Sequence, residues 1–227
     1  MTQSKLISTG IILATAAVCA GAGWYVYAEY GQKHSSETAT YVRLPVPYLS
    51  QAPDGNWANP WGNACEEAST LMVEGYYHKF SEINKEVAKE RMGQMFVWEN
   101  ENFGKNFDTT AEETSLLIAA NADFETIIKD NPTVDDIKNE LRKRQPVLAM
   151  LDQYDLYQTP RELSSSFHVL VIIGFDDAKQ EFIVNDPAKN IRRYSYDRLM
   201  KSLSDYVEEK DEAAGKPVVL FTKNKLL

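Results

Sequence analysis

The chain has 227 residues, 44% of them hydrophobic and 25% charged, which is the make-up of an ordinary globular protein and not of a disordered or fibrous one. Its formal net charge of -9 excludes the basic face that neutralising phosphates demands, so no nucleic-acid partner is expected. The length fits one folded domain behind an N-terminal segment of a different kind.

That segment comes first. Residues 6–28 carry no charged side chain, a run of about 23 that as a helix covers a hydrocarbon core of roughly 30 Å. Lys5 precedes it, and Trp24, Tyr25, Tyr27 and Tyr30 fall at its far end, as an interfacial aromatic belt would. The pattern predicts a membrane anchor with the N-terminus inside and the domain outside the cytoplasm. Two other readings stay open: a cleaved signal at Ala20-Gly21-Ala22, which makes the domain secreted, and lipid attachment at Cys19. Val18 is bulky where a small residue usually precedes a lipidated cysteine. The expected organisation is an anchor or signal over 1–30, a polar linker over 31–41 and a domain over 42–227.

Within the domain, residues 42–49 alternate apolar positions with Pro45 and Pro47, predicting an extended edge strand. Residues 51–63 are turn-rich and hold Trp57 and Trp61. Asn63 with Glu66 three positions on reads as a reciprocal helix cap, so Cys65 falls in the first turn of a helix. Further helices are predicted over 81–92, 111–120 and 134–143, the last behind Thr133. The period then changes: strands are predicted over 147–151, 167–175, 181–184 and 218–222, with one helix over 196–203. The order is α+β, a helical N-terminal half followed by a mostly antiparallel sheet.

Three side chains stand out chemically. With Cys19 inside the apolar run, Cys65 is the domain's lone thiol: either a buried small hydrophobe or a nucleophile. A helix N-terminus favours its thiolate, whereas Glu66 and Glu67 oppose it and make a cationic partner necessary. Of the three histidines, His34 lies in the linker and His78 at the far end of the Cys65 helix, leaving His168 as a base or as a hydrogen-bonded core residue. A hairpin tip at Asp177-Ala178 sets Asp186 opposite Val169, one step from His168's partner, where a carboxylate orients an imidazole; alone it reads equally as a turn residue of Asn185-Asp186-Pro187.

Pro47-Tyr48-Leu49-Ser50-Gln51, Cys65 opening a helix, His168 through Gly174-Phe175-Asp176, and Val184-Asn185-Asp186-Pro187, in this order, resemble the papain-like cysteine peptidases that process bacteriocin leaders after a double glycine, and their standalone relatives. The resemblance implies a papain-like fold, Cys65 as nucleophile, His168 as base, Asp186 as orienter and Gln51 as amide donor to the oxyanion, acting on a peptide or protein substrate. Glu66-Glu67 depart from the Gly-Pro or Gly-Ala that follows the cysteine in many relatives. The sequence shows no G-x-x-x-x-G-K-[ST] phosphate loop, so a relative without the transporter is expected. Trp57 and Trp61 either wall a substrate groove or cap the core. The alternatives to hydrolysis are transpeptidation by the same triad and an inactive peptide- or wall-binding module. No cofactor is expected: one cysteine with scattered histidines lacks the close ligand spacing of a zinc site.

Overall fold

The computed structural model describes residues 39–160 and 166–225. The expected anchor, Cys19, His34 and most of the linker therefore lie outside the described residues. Among the described residues no helix is long and apolar enough to cross a membrane.

In chain order the elements are β1 (Tyr41–Arg43), α1 (Cys65–Tyr77), α2 (Lys85–Phe103), α3 (Ala111–Asn121), β2 (Phe124–Asp130), α4 (Val134–Arg142), β3 (Val147–Asp152), α5 (Gln153–Tyr157), β4 (Phe167–Asp176), β5 (Glu181–Asp186), β6 (Asn190–Ser195), α6 (Tyr196–Ser202), β7 (Tyr206–Val207), β8 (Glu212–Ala213) and β9 (Val218–Asn224). The main sheet runs β2-β9-β3-β4-β5-β6, with β1 also on β4, and every pairing is antiparallel. This is the expected α+β architecture.

Local chemistry sets the helix starts. Thr110 and Thr133 close reciprocal caps with Glu113 and Asp136 at the starts of α3 and α4. Asn84 accepts from the N–H groups of Glu86 and Val87, so α2 begins later than expected. It also runs past residue 92, because Met95, Phe96 and Glu99 bury against the core, and it stops at left-handed Gly104, φ 73°.

Four strands escaped the sequence reading: the two-residue β7 and β8, which pair only with each other, and β2 and β6, the outermost in the main sheet's order. An edge strand is held by backbone pairing on one side and needs little apolar alternation, which Asn190–Ser195 lacks entirely. The first expected strand is cut to three residues, because Pro45 and Pro47 have no N–H to give the ladder.

Ten-residue β4 is the spine of the domain. It pairs β3 along its first half, β5 on the other side, and β1 at its end, where Arg43 lies opposite Gly174. A Cβ on Gly174 would come 2.2 Å from the Val42 carbonyl oxygen, so this crossing requires glycine. α1 lies against β4, with Ser69 Oγ donating to the Val169 carbonyl at 3.3 Å. The helix carrying the cysteine is thereby fastened to the strand carrying the histidine.

Candidate active site

The sheet half of the site grows from β4 and β5. The turn between them is two residues longer than the expected tip, and a bulge between Ile172 and Gly174 shifts the register, so Asn185 stands opposite Val171. The expected pairing of Asp186 with Val169 is thus one step off. That step matters, because alternation puts Asp186 on the same face as His168, whereas a partner of Val169 would share the other face. His168 Nε2 and Asp186 Oδ1 are 3.0 Å apart, both residues buried.

Asp186 is held by further donors. Tyr157 OH donates to Oδ2 at 2.9 Å and Tyr194 OH at 3.4 Å, while the Ala188 and Lys189 N–H groups donate to Oδ1 at 3.0 and 3.2 Å. Burial pushes this carboxyl up, but the His168 ring and these hydrogen bonds outweigh it and hold it below the usual carboxylate range. Neither tyrosine was singled out in the sequence. Both sit in polar company that gives no signal, on short α5 and on edge strand β6.

The residues flanking Asp186 build the opposite wall. Asn185 Nδ2 donates to the carbonyls of Val46 and Pro47, and the Pro187 carbonyl accepts the Gln51 N–H at 3.2 Å. The Pro47-to-Gln51 and Val184-to-Pro187 motifs are therefore parts of one hydrogen-bonded unit.

The helix half starts at Cys65, first residue of α1, whose N–H has no intrahelical acceptor. The expected reciprocal cap is not made: Ala64 occupies the cap position, and Asn63 ends a short 3-10 turn spanning Trp61–Asn63. Glu66 is occupied elsewhere. Its Oε2 accepts from Cys65 Sγ at 3.0 Å, and its Oε1 accepts from Thr109 N and Oγ1 at 3.0 and 3.2 Å. Cys65 is only 1% exposed, and burial together with the Glu66 and Asp108 charges pushes its thiol well above the ordinary range.

Cys65 and His168 line one cavity of about 450 Å³, together with Gln51, Trp57, Asp108 and Lys189. The tryptophans divide the roles foreseen for them: Trp57, half exposed, walls the cavity, while Trp61 packs edge-on against Phe96 at 5.7 Å over the core. Gln51 Nε2 donates to the Trp61 and Gly62 carbonyls at 3.2 and 2.8 Å, and its Oε1 is buried without a partner. His78 caps the C-terminus of α1, about 20 Å from Cys65 along a helix of 13 residues. There Glu74, His78 and Asp123 bring ligand-type atoms within 4.8 Å of one another, but Glu74 is already paired with Arg91 at 3.1 Å.

The helix that carries Cys65 packs on the antiparallel sheet that carries His168 and Asp186, which is the layout of the papain-like fold. The chain belongs to the Peptidase_C39 like family, whose sequence pattern it matches over residues 43–214. Among solved structures it is similar to a Bacillus anthracis protein assigned as a C39-like peptidase, with TM-score 0.52 and 13% identity over 81% of this chain and 98% of that one. It also resembles a double glycine motif protease from an AMS/PCAT transporter, solved in complex with the leader peptide, with TM-score 0.42 and 17% identity over 81% of this chain and 94% of that one. No curated protein matches the sequence.

Proposed function

We propose that the chain is a thiol-dependent peptidase that hydrolyses peptide bonds through an acyl-enzyme, with Cys65 as nucleophile, His168 as base and Asp186 as orienter. The observation that carries this reading is the His168 Nε2 to Asp186 Oδ1 contact of 3.0 Å beside the cavity that Cys65 also lines. Asp186 engages Nε2, so Nδ1 is the nitrogen that takes the thiol proton and later gives it to the leaving amine. The thiolate attacks the carbonyl carbon, and the Cys65 N–H at the helix N-terminus faces the developing oxyanion. Gln51 adds a second donor by turning one amide hydrogen from the Trp61 or Gly62 carbonyl to that oxygen. Water activated by His168 then releases the acyl group; an amine in its place gives transpeptidation.

Supporting a location outside the cytoplasm is the uncharged run over residues 6–28, followed by the aromatic cluster. Retention in the membrane fraction after carbonate washing, and protease sensitivity of the domain in intact cells, test it.

One observation favours the inactive binding module: the thiol is buried and bonded to Glu66. Labelling of the full chain by a thiol-directed covalent peptidase probe separates the two readings. The peptidase reading expects labelling near neutral pH that Cys65→Ala and His168→Ala each reduce by at least about 10³-fold. Labelling no faster than in the denatured chain makes the binding module the better account.

A further inference from the structure

The Cys65 thiol is bonded to a carboxyl on its own helix, and that carboxyl has company. Glu66, Glu67 and Glu99 are all buried, and among the described residues no cation pairs with any of them. Asp108 lies close to Cys65 from the loop before α3, and Glu113 adds a negative field at Glu99. Lys105, which eases Glu99, is bridged to Glu113 and Glu208 at 3.5 and 3.2 Å. Glu67 and Glu99 stand within hydrogen-bonding reach, a contact two carboxyls make only with a proton between them. Three carboxylates with no cation among them cannot all stay ionised in a dry interior, so the cluster holds protons.

We propose that Glu66 is a catalytic residue of this site, its carboxyl shuttling one proton across the 3.0 Å to Cys65 Sγ and donating through Oε2 to the thiolate in the reactive form. The proposal rests on the reading of Cys65 as nucleophile. In the resting form the thiol donates to the Glu66 carboxylate and His168 is neutral. Uptake of one proton from solvent gives the reactive form: of the thiol proton and the incoming one, one resides on Oε2 and the other on His168 Nδ1, leaving sulfur as thiolate. Thr109 fixes the geometry by holding Oε1, so Oε2 can only face sulfur. Burial first, then Glu99, raises the Glu66 carboxyl, in keeping with a proton held there in the reactive form.

The consequence is a nucleophile that switches off as pH rises. Loss of one proton from the reactive form returns the thiol–carboxylate pair, so reactivity falls through the raised Glu66 pKa and returns only when the thiol itself ionises. Glu66→Gln keeps an acceptor for Thr109 and a permanent N–H donor for sulfur, but it has no proton to lose.

The test is the rate of iodoacetamide alkylation of the full chain against pH, followed by mass spectrometry of the Cys65 peptide, for the native chain, Glu66→Gln, Thr109→Val and His168→Ala. Expected is a fall of the native rate on the alkaline side that is absent in Glu66→Gln, leaving that variant on the order of tenfold faster about one pH unit above the midpoint of the native fall. Thr109→Val removes a hydrogen bond that favours the carboxylate, so its fall moves to higher pH, which keeps the test alive if Glu66→Gln unfolds. Profiles of Glu66→Gln and Thr109→Val that coincide with the native one overturn the proposal while His168-dependent alkylation leaves the peptidase reading standing. Alkylation independent of both His168 and Glu66 overturns both.

Discussion

The two walls of the cavity each bury carboxyl groups, and they treat them in opposite ways. On the sheet side Asp186 is completely buried, yet five donors converge on it, His168, Tyr157, Tyr194 and the backbone of Ala188 and Lys189, and it stays ionised below the usual range. On the helix side Glu67 and Glu99 each leave an oxygen buried without a partner. Burial pushes Glu67 well above the ordinary carboxyl range and Glu99 up to about 7. Depth alone therefore does not decide charge; the supply of donors does. The sheet wall offers a fixed negative charge that steadies an imidazolium, and the helix wall offers protons beside the sulfur.

Asp186→Asn breaks the contrast where it is sharpest. An amide fills the same space but brings no charge, so the imidazolium loses its counter-ion and the tautomer is no longer imposed. Expected is a fall in kcat of about 10²- to 10⁴-fold with little change in KM, read in peptide hydrolysis by the purified chain. A loss within about tenfold would mean that the carboxylate charge is not what this wall supplies.

Glu99→Gln breaks it from the other side. A carboxyl whose folded pKa is raised to about 7 binds more protons folded than unfolded, so it costs stability as pH rises from its ordinary range through 7, and nothing below that range. The variant gains most at pH 8 and least at pH 5, the difference being on the order of 2 kcal/mol, measured by urea unfolding at the two pH values. An equal gain at both would mean that Glu99 is ionised throughout and the helix wall is not a proton store.

Little of this contrast was legible in the sequence, although the frame was. Cys65, His168 and Asp186 could be singled out, because a lone thiol at a helix start, a histidine heading an apolar strand and Asn-Asp-Pro ending its partner each leave a local mark, and the structure brings His168 against Asp186 and both Cys65 and His168 to one cavity. The register between them was one residue off, since neither the four-residue turn Asp177 to Gln180 nor the bulge near Ile173 has a composition that gives it away. Glu66 and Glu67 read only as charges that oppose the thiolate. Their burial depends on α2 and the Thr109 loop folding over them, a tertiary fact no local pattern carries. The same holds for Tyr157 and Tyr194, which reach Asp186 from 29 and 8 positions away.

Those two tyrosines offer the finest test of the sheet wall. Both donate to Asp186 Oδ2, but at 2.9 Å from Tyr157 and 3.4 Å from Tyr194, the second near the limit at which a hydroxyl still contributes. Removing a donor raises the Asp186 carboxyl, whose lowered pKa gives it a charge that is present above its ordinary range and lost only in acid. The acid limb of kcat/KM must therefore move to higher pH in Tyr157→Phe, by somewhat under about one pH unit from a hydrogen bond worth about 1 kcal/mol, so the loss approaches roughly fivefold only below the ordinary carboxylate range and vanishes near neutrality. Tyr194→Phe should stay within about twofold of the native chain. The phenyl ring keeps the Tyr157 packing against His168, whose ring centre lies 6.1 Å away, so an effect seen in Tyr157→Phe belongs to the hydroxyl. Equal effects in the two variants would show that Asp186 is held by its whole shell rather than by its shortest bonds, and the graded picture of this wall would give way to a collective one.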